Sequence, residues 1–167
     1  MTHRPIALLA ALFAALALVI AHAAEFWGGL VPCALCEWER WPYRVVLGLC
    51  GLAAILPAWQ ARLILWASCG TLLAGAALGV VHVGVEFHLW PSPLPECVAP
   101  DLSGLSIAER LARMPATPAK PCDEPTFLLP FLPLSMAAMN LLFALAMAVG
   151  VDLALVIPSR RQQEDRT

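Results

Sequence analysis

In a chain of 167 residues, 60% hydrophobic and only 13% charged, the balance falls outside that of soluble domains, where about a quarter of residues carry charge. A mean hydropathy of +0.77 makes lipid the surrounding medium, and a net charge of −2 without a basic cluster argues against nucleic acid as a partner. Four apolar runs, at about 6–24, 41–59, 63–85 and 134–157, approach or exceed the roughly 20 helical residues that cross a hydrocarbon core of about 30 Å. They predict an all-α membrane protein, a single four-transmembrane-helix bundle with a long outer loop over about 86–133.

The first run follows Arg4 and ends at Ala21-His22-Ala23, which also has the form of a signal peptide with an Ala-x-Ala cleavage site. The run exceeds the usual signal core, and three further spans need a packing partner, so retention as span one is the favoured expectation. His22 is read as an interfacial residue rather than a ligand. Glu25 to Pro32 makes a short outer connection with a turn at Gly28-Gly29. Trp27, Trp38 and Trp41 suit the headgroup level, which puts Cys33 and Cys36 at the water boundary.

Span two is led by Cys33-Ala-Leu-Cys36-Glu-Trp-Glu39-Arg40. Two thiols separated by two residues can close into a small reducible ring, which is redox chemistry. A cysteine at its reference pKa of about 8.5 is only about 3% thiolate at pH 7, whereas one near 6 is roughly 90% thiolate and a competent donor. A helix N-terminus and the Arg40 guanidinium both act in that direction. On a continuous helix Cys33, Cys36 and Arg40 lie along one face. Pro42 opposes continuity, because the residue before a proline is biased away from helix, and it allows regular helix to start only at Pro42. Gly48 and Gly51 permit close helix contact, and Pro57 ends the stretch before a tight inner turn over 58–62.

Span three carries Gly75-Ala-Ala-Leu-Gly79, a small-x-x-x-small packing face. Cys50 in span two and Cys69 in span three are most simply small buried apolar residues. His82 and Glu86, four residues apart near the outer end, read equally as structural and as functional. Prolines recurring from Pro91 to Pro133 exclude long regular structure in the loop. One short helix survives, since Ser106 and Glu109 form a capping box and Ile107, Leu111 and Met114 then share a face, away from Arg110 and Arg113. It is expected to lie on the membrane surface. Span four begins after Pro133 and is expected to end at Pro158, with Asn140 bonding a neighbouring helix.

Cys33, Cys36, Cys97 and Cys122 fall in the first and third connections, which four crossings put on one side. An even set of four there suggests an oxidising compartment and two disulfides, with three pairings open. Arg4, Arg62, Arg160, Arg161 and Arg166 on one side, against Arg40, Arg44 and Lys120 on the other, predict that both termini are cytoplasmic.

Three stretches carry a resemblance: Pro32-Cys33-Ala-Leu-Cys36-Glu-Trp-Glu39-Arg40; Trp90-Pro91-Ser-Pro93-Leu-Pro-Glu-Cys97; and Pro121-Cys122-Asp-Glu124 followed by Leu134-Ser-Met136. Together, over nearly the whole chain, they resemble the DsbB family, disulfide bond formation proteins of bacterial inner membranes. The resemblance implies periplasmic cysteines and a relay. A DsbA-like dithiol protein attacks a Cys97/Cys122 disulfide at Cys97, Cys122 engages Cys33, and Cys36 is freed beside a quinone, ubiquinone or menaquinone. It further implies that Cys33, Cys36, Cys97 and Cys122 are catalytic and that Cys36, Arg40, His82 and Met136 line the quinone site. Within Val81 to His88, where the family places a polar residue near the quinone, this chain offers His82, Glu86 and His88. The stretch from Pro125 to Pro133 is richer in proline and longer than the family pattern.

Other classes fit less well. A protein of the vitamin K epoxide reductase type usually carries the paired cysteines late in its bundle, not at the start of span two. A zinc site of four thiols lacks a short spacing between Cys97 and Cys122 and has no histidine next to the motif in sequence, so no metal is expected. A non-enzymatic bundle stapled by disulfides is the third alternative.

Overall fold

The computed structural model describes residues 3–97, 104, 106–113, 120–129 and 131–164, the last seven of these by their backbone. Among the described residues all regular structure is helical: α1 His3–Phe26, α2 Ala34–Ile55, α3 Ala58–Glu86, α4 Ile107–Arg113 and α5 Met136–Glu164, with a single 3-10 turn at Pro95–Cys97. The four long helices pack in chain order, α1 on α2, α2 on α3 and α3 on α5, while α1 and α5 scarcely touch. Short connections join α1 to α2 and α2 to α3, as in an antiparallel bundle.

Side-chain size is inverted relative to a soluble bundle. The core takes Ala7, Ala10 and Ala14 of α1, Ala53 of α2, Ala76 of α3 and Ala144 of α5, whereas Leu8, Leu12, Leu63, Leu73, Leu142 and Leu153 face outward. Small residues let backbones approach, and large apolar ones meet lipid at no cost. Three helices, α1, α3 and the stretch Met136–Ile157 of α5, are long and apolar enough to cross a membrane. The fourth long helix, α2, carries Glu37, Glu39, Arg40 and Arg44 in its first half and does not meet that composition.

Two expectations about helix limits are corrected. Helix α2 starts at Ala34 and runs through Pro42, so the proline does not set its beginning. Its ring packs closely on α3: a Cβ on Gly75 would lie 3.0 Å from Pro42 Cβ, so any larger residue there would have to push the ring aside. Helix α5 likewise continues past Pro158 to Glu164.

The caps follow the local chemistry. The Ser106 hydroxyl and amide donate to Glu109 Oε2 at 2.7 and 2.9 Å while the Glu109 amide donates to Ser106 Oγ, the reciprocal capping box expected for α4. These bonds hold the Glu109 carboxyl below its usual range. Ile107 and Leu111 of α4 are exposed, and Met114, the third member of that face, lies outside the described residues, as does Arg166 of the tail. Ser135 caps α5 by accepting from the Ala138 amide at 3.2 Å and donates to Glu86 at the end of α3, which ties the two helix ends together. His88 closes α3 in the left-handed region at φ 55°, with the Leu89 amide donating back to the Gly84 carbonyl at 2.9 Å.

The second glycine of the packing face meets α5: a Cβ at Gly79 would lie 3.0 Å from Leu141 Cβ and 3.2 Å from its Cα. Gly79→Leu should therefore force α3 and α5 apart and cost at least about 1–3 kcal/mol of stability, as for other overpacked interfaces. Thermal unfolding in detergent measures it; an unchanged midpoint would show that the α3–α5 contact does not hold the bundle.

Candidate thiol–disulfide site

The site is built at the Cys33 end of the bundle, where α2 begins. Cys33 is the N-cap of α2, and its sulfur accepts the Cys36 amide at 3.2 Å, a side-chain cap like that of serine. One helical turn brings Cys36 Sγ to 2.7 Å from Cys33 Sγ. The pair shares a hydrogen, and the Cys36 thiol donating to Cys33 is the main reason the Cys33 pKa falls below that of an ordinary thiol. Burial opposes the shift, the Cys36 amide adds to it, and the Glu39 carboxylate works against it.

A histidine from another helix stands on the other side of Cys33. His82 of α3 is only 2% exposed, with Nε2 3.4 Å from Cys33 Sγ and Nδ1 3.1 Å from Glu39 Oε1. An ionised carboxylate only accepts, so Nδ1 carries the hydrogen, and Nε2 is left to accept from the Cys33 thiol or, once protonated, to donate to its thiolate. Glu39 is 6% exposed and sits on α2 between the motif and Arg40. An acidic residue at a helix start beside a membrane boundary is the signal for it in the sequence.

Cys97 and Cys122 form a disulfide, and both are buried in one cluster with Cys33, Leu35 and Val85. The 3-10 turn that carries Cys97 rests on α2, and the Cys122 amide donates to the Cys97 carbonyl at 3.3 Å. Of the two disulfides suggested by four loop cysteines, this one is closed, while Cys33 and Cys36 are free thiols. A cavity of about 590 Å³ opens beside Cys97, bordered by Trp90, Pro91, Asp123 and Glu124.

Cys36 faces a different cavity, of about 250 Å³, between α1, α2 and α5. Arg40, Tyr43, Met136, Asn140 and Phe143 share its wall, and His82 does not. The structure thus brings Cys36, Arg40 and Met136 to one cavity and places His82 behind Cys33. Arg40, 7% exposed, is held by carboxylates: Nη1 lies 2.9 Å from Glu25 and 2.8 Å from Glu37, with His22 Nδ1 at 3.4 Å. Asn140 bonds a neighbouring helix as expected, accepting from the Tyr43 hydroxyl at 2.7 Å, and its amide lies on the same cavity wall as the Glu39 carboxylate. Cys50 and Cys69 lie apart in the bundle core, making weak contacts to Ser68 and to the Ala148 carbonyl.

Paired thiols against a loop disulfide, at one end of a bundle with lipid-suited helices, define a membrane thiol–disulfide oxidoreductase. The chain belongs to the family of disulfide bond formation protein DsbB, whose model matches residues 3–154. It is also similar to the uncharacterized protein RP370 of Rickettsia prowazekii (strain Madrid E), 28% identical over 144 residues that cover 86% of this chain and 82% of the relative. No solved structure matches the chain.

The thiol pair makes a test outside activity. In reduced protein Cys33 should alkylate at lower pH than an ordinary thiol, and Cys36→Ala removes the main cause, leaving the backbone amides alone to oppose burial and Glu39, so the pKa should rise. Alkylation of Cys33 at neutral pH should then slow about tenfold for each unit the profile moves. Mass spectrometry of iodoacetamide labelling against pH reads it; a profile unchanged by Cys36→Ala would mean that the Cys36 thiol does not set the Cys33 charge.

Proposed function

We propose that the protein reoxidises a DsbA-like periplasmic dithiol protein and passes the electrons to a membrane quinone. One arrangement carries this reading: the paired thiols lie between the loop disulfide, packed on Cys33, and an apolar cavity, open on Cys36. Four long helices in antiparallel order would place both termini in the cytoplasm and the four cysteines in the periplasm, α2 crossing in the shelter of α1 and α3.

The cavity suits a quinone head. Its wall is mostly apolar, with the Arg40 guanidinium and the Asn140 amide as hydrogen-bond donors for ring oxygens. A second apolar cavity of about 400 Å³ continues along the loosely packed α1–α5 seam, sharing Phe143, and suits an isoprenoid tail. A bound quinone supplies a two-electron, two-proton acceptor.

The residues of the chain then act in order. A partner thiolate reaching the cavity beside Cys97 attacks that sulfur, and Cys122 leaves as a thiolate. Resolution of the mixed disulfide by the partner's second thiol releases the oxidised partner. Cys122 attacks Cys33 of a Cys33–Cys36 disulfide, and Cys36 leaves as a thiolate facing the cavity, where two electrons from the thiolates and the two protons released by the partner's dithiol would pass to a bound quinone. Cys97 then displaces Cys33 from Cys122, restoring the loop disulfide, and Cys33 closes on Cys36. His82 is placed to hold the proton of Cys33 during these exchanges.

Cys97→Ser should abolish partner oxidation while leaving quinone bound, since Cys97 borders the outer cavity and not the apolar one; oxidation at the wild-type rate would overturn the order of attack. Cys33→Ala strands Cys36 at the cavity wall, and a quinone-loaded sample at pH 8 should show a visible band from thiolate-to-quinone charge donation, absent in Cys36→Ser. No band would remove Cys36 from the quinone. Arg40→Ala should raise the apparent quinone KM about tenfold or more, the worth of one charge-assisted hydrogen bond. Its thermal midpoint should change little, because Glu25 and Glu37 are partly exposed and rehydrate. A collapsed midpoint at unchanged KM would assign Arg40 to the fold alone.

A further inference from the structure

Cys33 Sγ, Cys36 Sγ and His82 Nε2 lie within 4.8 Å of one another at the meeting of two helices, Cys33 and His82 buried and Cys36 half-buried. The absence of a histidine near the paired cysteines held only in sequence: the α2–α3 packing delivers one from 49 residues away. We propose that the reduced thiol pair and His82 form a binding site for a thiophilic divalent cation of the zinc type, a site that exists only while Cys33 and Cys36 are reduced.

The donor set is soft and borderline, two thiolates and an imidazole, which is what zinc selects over the hard cations. Bond lengths of about 2.3 Å to sulfur and 2.0 Å to nitrogen imply tetrahedral edges of about 3.5 Å between sulfur and nitrogen and about 3.8 Å between sulfurs. The Cys33–His82 edge is already 3.4 Å, and the two sulfurs, at 2.7 Å, need to part by about 1 Å through rotation of one side chain. Glu39 supplies what a metal-bound histidine needs behind it: its carboxylate takes the Nδ1 hydrogen, fixing the tautomer that presents Nε2 as the ligand.

Charge also balances. Binding releases one proton from each thiol, so a divalent ion replaces two protons and the buried site, Glu39 included, keeps the charge it had before. The cavity on the Cys36 side leaves a fourth position for water or another small ligand. A disulfide between Cys33 and Cys36 offers no thiolate, so the oxidised pair does not bind. An occupied site consumes both sulfur lone pairs that disulfide exchange requires and holds the pair in its reduced form.

The test uses the full chain in detergent, reduced and desalted without oxygen, with Co²⁺ as a spectroscopic probe and Zn²⁺ as competitor. The expected result is thiolate-to-cobalt absorption that saturates at one equivalent and is bleached by Zn²⁺. It persists in Cys97→Ser/Cys122→Ser and is missing in protein oxidised at Cys33 and Cys36. Cys33→Ser and Cys36→Ser should each abolish it, and Glu39→Gln should weaken affinity about tenfold, at the low end for a group that orients a ligand. Loss of the band in Cys97→Ser/Cys122→Ser would assign the ion to the loop thiols and overturn the proposal, as would equal binding by oxidised protein or no band at all. Because His82→Ala can disturb packing, X-ray absorption of zinc-loaded, reduced Cys97→Ser/Cys122→Ser reads the ligands directly. Two sulfurs with at least one imidazole nitrogen support the site, and any shell without nitrogen overturns it.

Discussion

The hydrogen bond between Glu39 and His82 holds this end of the molecule together. Both groups are almost fully removed from water, and each would be costly to bury without the other. Removing one partner of such a buried pair costs on the order of 3 kcal/mol, so α2 and α3 are pinned in a single register where they meet. The same interface is keyed farther along by Pro42 against Gly75. With the register set, the imidazole has one orientation, and its second nitrogen points at Cys33.

From that fixed point the site extends in two directions. Toward water lies the loop, held down by its own disulfide, by the Trp90 indole donating to the Val81 carbonyl at 3.0 Å, and by Ser135, which bonds Glu86 while capping α5. Toward lipid lies the seam that α1 and α5 leave between them, with its two cavities meeting at Phe143. A thiol pair at a helix N-terminus touches both sides. Cys33 caps the helix and meets the disulfide, while Cys36, one turn on, looks into the seam.

Electrostatics are divided between two basic groups rather than concentrated in one. Arg40, the obvious cation in the motif, spends its hydrogen bonds on Glu25 and Glu37 and thereby ties α1 to α2, with its guanidinium on the cavity wall. The group within reach of a sulfur is His82. A guanidinium cannot give up its proton, whereas an imidazole can, so the nearer group is the one able to exchange a proton with a thiol.

Composition, apolar runs and local motifs determined the helical class, the approximate limits of α1, α3 and α5, the capping box of α4, and the cysteines worth attention. Each of these depends on neighbours within one or two turns of chain. The sequence could not determine that α2 would run through Pro42, nor that the proline ring would pack on Gly75, 33 residues on. Nor could it place His82 behind Cys33, Asn140 beside the cavity or Glu25 on Arg40. Those contacts join residues on different helices, and helical periodicity says which face a residue occupies without saying which helix will cover it. Tertiary packing alone decided that question, by matching glycine notches and burying a carboxylate only where an imidazole could meet it.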